Sequence, residues 1–508
     1  MTNHLFDGLT QAGFAKPGRD FIRTAGDVRM TYSEVEAVSA RYANVLIDLG
    51  VQPGDRVAVQ VDKSLDALLL YLATIRAGGV FLPLNTAYTA SEIEYFLTDA
   101  EPRLFVCTPA KKDALAEVAE NARTAIETLG AGSNEGRVDG SLAMKADSAP
   151  AQFQTICRSG ENLAAILYTS GTTGRSKGAM LTHENLLSNA ETLKAYWGFS
   201  EDDVLLHALP IFHTHGLFVA SNTVMLAGGS MIFLPKFDLD VVFANLPAAT
   251  SMMGVPTFYT RMLDDERLNR DSTAHMRLFT SGSAPLLAET HRAFEQRTGQ
   301  RILERYGMTE TNMNTSNPYD SERRAGTVGF PLPNVELRIT DPDSGETLPN
   351  GGIGMIEVKG PNVFKGYWRM PEKTASEFRD DGFFVTGDLG QIDEDGYVSI
   401  VGRDKDLVIT GGYNVYPKEI ELLIDELDGV IESAVIGVPH PDFGEGVVGV
   451  VVGKNGLEEK AILSSLEGRL ARFKQPKRIV FVEELPRNTM GKVQKNVLRE
   501  KFGNILSA

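Results

Sequence analysis

Residues 168–180 read YTSGTTGRSKGAM, a stretch in which Gly171, Gly174 and Gly178, the hydroxyls of Thr169, Ser170, Thr172, Thr173 and Ser176, and Lys177 crowd together. Glycines let a backbone turn tightly and bring its N–H groups up to an anion, hydroxyls donate further hydrogen bonds and lysine adds charge. The chemistry expected is the holding of a polyphosphate. A Walker P-loop is excluded, because that pattern needs four residues between its glycines and a Ser or Thr after the lysine, whereas here Lys177 is followed by Gly178. His213 and His215 form an H-x-H pair without an accompanying cysteine or third clustered histidine, which argues against a zinc site.

An anion cradle needs a rigid frame. The apolar run 163–168 predicts a buried strand leading into it, residues 32–49 have helical spacing, and 56–61, 80–84 and 103–107 predict short strands. Residues 65–82 read as a core helix running into a strand; Asp66, Arg76 and the Gly78-Gly79 break make them unfit to span a membrane. The alternation is an α/β pattern. Residues 128–154 lack periodicity and predict a surface connection. Near residue 400 polar, glycine and charged residues break up the apolar runs, which sets a boundary between domains 1–403 and 404–508. The second is expected to be a small α+β unit with paired strands at 432–438 and 447–452, an amphipathic helix at 458–472 and a strand at 478–482. The 508 residues are too many for one core, and a net charge of −17 argues against a general nucleic-acid or anionic-membrane surface. Only Cys107 and Cys157 are present and the N terminus has no leader pattern, so a reducing cytoplasm is the expected compartment.

The cradle resembles the phosphate loop of adenylate-forming enzymes, the superfamily of acyl-CoA synthetases, luciferases and peptide-synthetase adenylation domains. Four further segments follow in that family's order: LPIFHTHG at 209–216, YGMTE at 306–310, TGD at 386–388 with GRDKD at 402–406, and PRNTMGKVQK at 486–495. The resemblance implies a large N-terminal adenylation domain of mixed sheets with a small mobile lid, and a two-step ligation. A carboxylate is a poor acyl donor because its leaving group is oxide, so ATP first converts it to an acyl-AMP and the thiol of CoA then displaces AMP. Catalysis rests on stabilising charge at the α-phosphate. By resemblance, Lys492 reaches between carboxylate and α-phosphate, and Glu310, with Thr169, holds Mg²⁺. Thr169, Ser170, Gly171, Thr172, Thr173, Gly174 and Lys177 cradle the phosphates; Gly282, Ser283 and Ala284, with Glu304, Arg305, Tyr306, Gly307, Met308 and Thr309, wall the nucleotide. Asp388 accepts from the ribose hydroxyls, Arg403 holds the ribose and phosphate region, Lys405 is the hinge, and Gly411 and Gly412 line the pantetheine tunnel. His213 stands near the acyl pocket and His207 is a weaker candidate for it. Relatives also suggest an acetyltransferase and deacylase acting on Lys492.

The acid is read from arginines. Arg261 lies in GVPTFYTRML and Arg305 precedes Tyr306, both in segments that flank the acyl pocket in the family. A buried arginine is expensive without an anion, and a dicarboxylate brings one. These segments resemble malonyl-CoA synthetases, which implies malonate held by Arg261, Arg305, Ser283 and His207, with methylmalonate a possible second substrate. A monocarboxylate or aryl-acid ligase, and an adenylation enzyme loading a carrier protein, stay open as alternatives.

Overall fold

The computed structural model describes residues 2–130, 139–169, 176–410, 413–441, 443–454, 456–467, 469–488 and 491–506. Three sheets build the large N-terminal part. A six-stranded sheet runs Ala125–Thr128, Leu104–Cys107, Arg56–Gln60, Val80–Pro83, Leu163–Thr169, Lys177–Thr182, parallel except at the last pair. The strands expected from the sequence at 56–61, 80–84, 103–107 and 163–168 are these. The ends of the cradle expected at 168–180 are two antiparallel strands, paired from Thr169↔Lys177 outward.

A nine-stranded sheet has at its centre the parallel strands Ser230–Phe233, Val204–His207, Ser251–Gly254, Leu278–Ser281 and Leu303–Met308. All five end on the same side, which places His207, the turn after Gly254, the segment after Ser281, and Arg305 with Tyr306 along one rim. Open α/β sheets bind ligands outside the carboxyl ends of their strands. A four-stranded antiparallel sheet, Glu336–Thr340, Gly354–Lys359, Phe384–Ile392 and Val398–Arg403, brings Asp388 and Arg403 side by side in register.

Helix Leu65–Arg76 is buried from Ala67 to Arg76, as its nearly unbroken apolar run requires, with Ser64 capping Ala67 N–H at its start. Arg76 is compatible with this burial because the fold surrounds it with acceptors. It donates to Glu36 O (2.8 Å), Ser39 Oγ (3.0 Å), Thr155 Oγ1 (3.2 Å) and Phe153 O (3.3 Å). Residues 128–154 differ from the connection expected: they contain the helix Ser141–Ser148, whose Leu142 is fully buried and which packs on Tyr32–Asp48. Two turns bury too few apolar residues to show a period, so packing against a longer helix decides the conformation.

The smaller C-terminal part carries the long antiparallel pair Val430–His440 and Gly444–Gly453, with Arg478–Phe481 parallel to the latter. The helix expected at 458–472 is shorter, Glu459–Leu466.

Candidate active site

The site lies between the rim of the nine-stranded sheet, the strand pair at Thr169 and Lys177, and the C-terminal part. Tyr306 donates its hydroxyl to Asp388 Oδ2 at 2.6 Å, and Arg403 Nε lies 2.8 Å from Asp388 Oδ1. Each carboxylate oxygen has a second lone pair, so Asp388 can still accept hydroxyls. Glu310, the last residue of YGMTE, is 5% exposed, and burial raises its pKa. Its Oε1 lies 3.4 Å from Thr169 Oγ1 and 3.1 Å from the Tyr367 hydroxyl, which is itself 2.6 Å from Glu377 Oε2. A phenol has one proton. Tyr367 therefore donates to Glu377 or to Glu310, and not to both at once. A hard cation shared with phosphates wants one or two protein oxygens, and Glu310 with Thr169 offers such a pair at a carboxyl that forms no direct ion pair among the described residues.

Lys177 is buried, 3.2 Å from Glu377 Oε1 and 4.1 Å above the Tyr367 ring. Its charge is thus partly spent at the start of its strand. Ser170, Gly171, Thr172, Thr173 and Gly174 lie outside the described residues, as do Gly411 and Gly412.

Lys492 belongs to the exposed residues of the C-terminal part, yet its ammonium is within electrostatic reach of Arg403, Asp388, Glu310 and Arg305. Desolvation by the surrounding protein, then Arg403, pull its pKa down. His213 feels Lys492 and Arg305 as well; burial first, then these charges, hold its pKa at about 3, so it is a neutral hydrogen-bonding ring at working pH.

Arg305 stands apart from Arg76. It is 3% exposed, and neither Nε nor Nη2 has a hydrogen-bond partner among the described residues. Burial lowers its pKa to about 9. The guanidinium lies flat on Gly282, where a Cβ would come within 2.2 Å of Nη1, so glycine is required there. Next along the chain, Ser283 adopts φ +69, a left-handed conformation that is strained for serine, and its Oγ is 3.1 Å from His215 Nδ1. His215 Nε2 is buried without a partner among the described residues. Glu304, on the other face of the strand, does not neutralise Arg305. Its Oε1 accepts from Leu286 N at 3.1 Å and burial raises its pKa to about 8.

Residues 10–368 match the AMP-binding enzyme family and residues 419–492 the AMP-binding enzyme C-terminal domain. The chain belongs to the AMP-binding enzymes. Among solved structures, this AMP-binding enzyme is similar to ATP-bound MatB from Rhodopseudomonas palustris, at 62% identity over 100% of both chains with a TM-score of 0.96. Against apo MatB the identity and coverage are the same and the TM-score is 0.86. Since sequence is constant across that pair, the difference is one of arrangement. A malonate–CoA ligase of Arabidopsis thaliana is 34% identical over 90% of this chain and 79% of the relative. A feruloyl-CoA synthase of an Amycolatopsis species is 34% identical over 94% of this chain and 95% of the relative.

The four expected acid-binding side chains do not all sit together in this AMP-binding enzyme. Arg305 is buried against Gly282, next along the chain to the half-buried Ser283. Arg261 is exposed on helix Pro256–Leu263, 5.0 Å over the Phe237 ring. His207 is a correction: it is 1% exposed, with Nδ1 3.0 Å from Lys63 Nζ and Nε2 2.9 Å from Gly216 O, so neither ring nitrogen is left for a ligand. His215 takes that place beside Ser283. The H-x-H spacing singled out His215 in the sequence, but only as half of a metal pair. Tyr367 and Glu377 were also missed, because nothing in a linear string links them to Glu310.

Proposed function

We propose that this chain joins malonate to CoA at the expense of ATP, releasing AMP and pyrophosphate. The observation that carries the malonate assignment is the buried guanidinium of Arg305, unpaired at two nitrogens and flanked by Ser283 and His215. A monocarboxylate leaves that charge uncompensated, and a dicarboxylate supplies the missing partner. The malonate–CoA ligase among the relatives supports the same reading.

In the first step a carboxylate oxygen of malonate attacks the α-phosphorus of ATP, the bond to the bridging oxygen breaks, and pyrophosphate leaves with its electron pair. Lys492 lies across the charge that builds on the α-phosphate, Tyr306 offers its ring to adenine, and Asp388 accepts the ribose hydroxyls beside Arg403. Glu310 and Thr169 would hold Mg²⁺, which when bound would supply charge neutralisation at the phosphates. Arg305, Ser283 and His215 hold the distal carboxylate, with Arg261 as a second cation from the neighbouring helix. In the second step the CoA thiol, less its proton, attacks the acyl carbon and AMP departs. The unit 404–508 turns about Lys405 between the steps, withdrawing Lys492 and bringing Gly411 and Gly412 to the thiol's path. We place the reaction in the cytoplasm and assign Lys492 as the target of a lysine acetyltransferase and its deacylase.

The test is AMP release with MgATP and CoA across malonate, methylmalonate, succinate, acetate, propionate and butyrate, with the thioester identified by mass. Preference for malonate is expected. Methylmalonate follows within about a hundredfold, since one methyl is worth about 1–3 kcal/mol. Preference for a monocarboxylate overturns the malonate assignment, and AMP without thioester points to a carrier-protein acceptor.

A further inference from the structure

Lys63 follows the strand Arg56–Gln60 of the six-stranded sheet and reaches across to the nine-stranded one. Its Nζ donates to His207 O at 2.8 Å, lies 3.0 Å from His207 Nδ1, and sits 4.1 Å above the Phe233 ring. Among the described residues no carboxylate forms an ion pair with it, and a desolvated ammonium without one is costly. What it gains is the histidine. On the far side of that ring, Nε2 lies 2.9 Å from Gly216 O and 3.2 Å from Ser221 Oγ.

These contacts fix the tautomer. A carbonyl oxygen only accepts, so the nitrogen facing Gly216 carries the proton. Nδ1 is then a bare acceptor, and Lys63 must be its donor. Gly216 and Ser221 belong to the π-helical turn His215–Ser221, and Ser221 Oγ also donates to Gly216 O at 2.9 Å. Such turns leave carbonyls poorly served and cluster at functional sites. Gly216 is packed so tightly that a Cβ would come within 2.0 Å of Pro210 O. Residue 215, at the start of the turn, is the histidine that meets Ser283.

We propose that Lys63 and His207 are positioning residues, a buried dyad across the two sheets that locks the π-helical turn and so sets where His215 and Ser283 stand for the distal carboxylate. This rests on the malonate reading above for its consequence, but not for its structural part. Neither residue touches substrate. Lys63 holds one tautomer, His207 holds one carbonyl, and the turn delivers His215.

The experiment has two readouts. The first is ¹⁵N NMR of protein labelled at histidine, with His207 assigned by His207→Gln. Wild type is expected to show a protonated Nε2 and an acceptor Nδ1, and Lys63→Met to lose that pattern; a protonated Nδ1 at His207 in wild type overturns the dyad without any variant being needed. The second is kcat/KM for malonate against propionate. Lys63→Met is expected to lower the malonate value about tenfold to a hundredfold, chiefly through KM, leaving KM for ATP and use of propionate within about twofold, with Lys63→Arg restoring much of the loss. Arg305→Met separates the two ideas. If it abolishes the preference for malonate and Lys63→Met leaves that preference intact, the dyad's positioning role is overturned. If Arg305→Met does not alter the preference, the malonate pocket is what fails, and the tautomer measurement alone judges the dyad.

Discussion

Arg76 and Arg305 are both buried arginines, and what separates them is their acceptors. Arg76 is served by Glu36 O, Ser39, Thr155 and Phe153 O, whereas Nε and Nη2 of Arg305 have no partner among the described residues. An uncompensated charge opposes folding, so Arg305→Met, which keeps length and removes charge, is expected to leave the ligand-free melting temperature unchanged or raise it. In the same variant kcat/KM for malonate should fall about a hundredfold or more, as expected for loss of about 3 kcal/mol of charge-assisted hydrogen bonding. Thermal melts and kinetics on one preparation check both halves. Glu304 is the complementary case. With its pKa raised to about 8 from 4.5, the folded chain holds a proton that the unfolded chain has released, so stability is full below about pH 4.5 and is lost as pH rises through about 8. Glu304→Gln keeps the acceptor for Leu286 N–H and removes the titration. Its melting temperature should match wild type near pH 5 and exceed it by about 2 °C or more at pH 8.5. A constant difference across that range would remove Glu304 as the titrating group.

At the scale of elements, motifs and long periodic segments were legible and short packed ones were not. The helix at 32–49 and the strands around the cradle carry their own patterns, apolar spacing for the one and short apolar runs for the others. Ser141–Ser148 has too few turns for that, and its identity as a helix comes from Leu142 sinking against Tyr32–Asp48, with Arg41 Nη1 donating to Asp147 O and Ala149 O at 2.8 Å. If it is core, Leu142→Ala costs about 2–4 kcal/mol in a urea titration while KM for malonate and ATP stays put. A loss below about 0.5 kcal/mol would return the segment to the status of a surface connection. The π-helical turn at 215–221 was illegible for a different reason: its Gly216 carbonyl faces His207 and Ser221, and the other nitrogen of the His207 ring meets a lysine more than a hundred residues away.

For the molecule as a whole, two domains share one cleft, and the two half-reactions can be separated by where a change falls. Lys492→Ala should cut pyrophosphate release about a hundredfold or more while largely sparing thioester formation from supplied malonyl-AMP, if the lysine serves the charge on the α-phosphate as proposed. Lys405→Pro should do the reverse, slowing thioester formation about tenfold with the first burst of pyrophosphate little changed, since a fixed φ would hinder rotation at the proposed pivot. Equal loss of both steps in either variant would count against the division of labour. The sequence by itself determined the nucleotide chemistry, through five ordered motifs, and the α/β class, because phosphate-binding loops and hydrophobic runs are local and carry their requirements in residue types and spacing. Tertiary structure alone decided that Arg305 is buried with two nitrogens unpartnered among the described residues, that His215 meets Ser283, and that Glu310 shares a hydrogen-bond network with Tyr367 and Glu377. Those are properties of burial and of partners brought together from distant segments, and neither exists until the chain has folded.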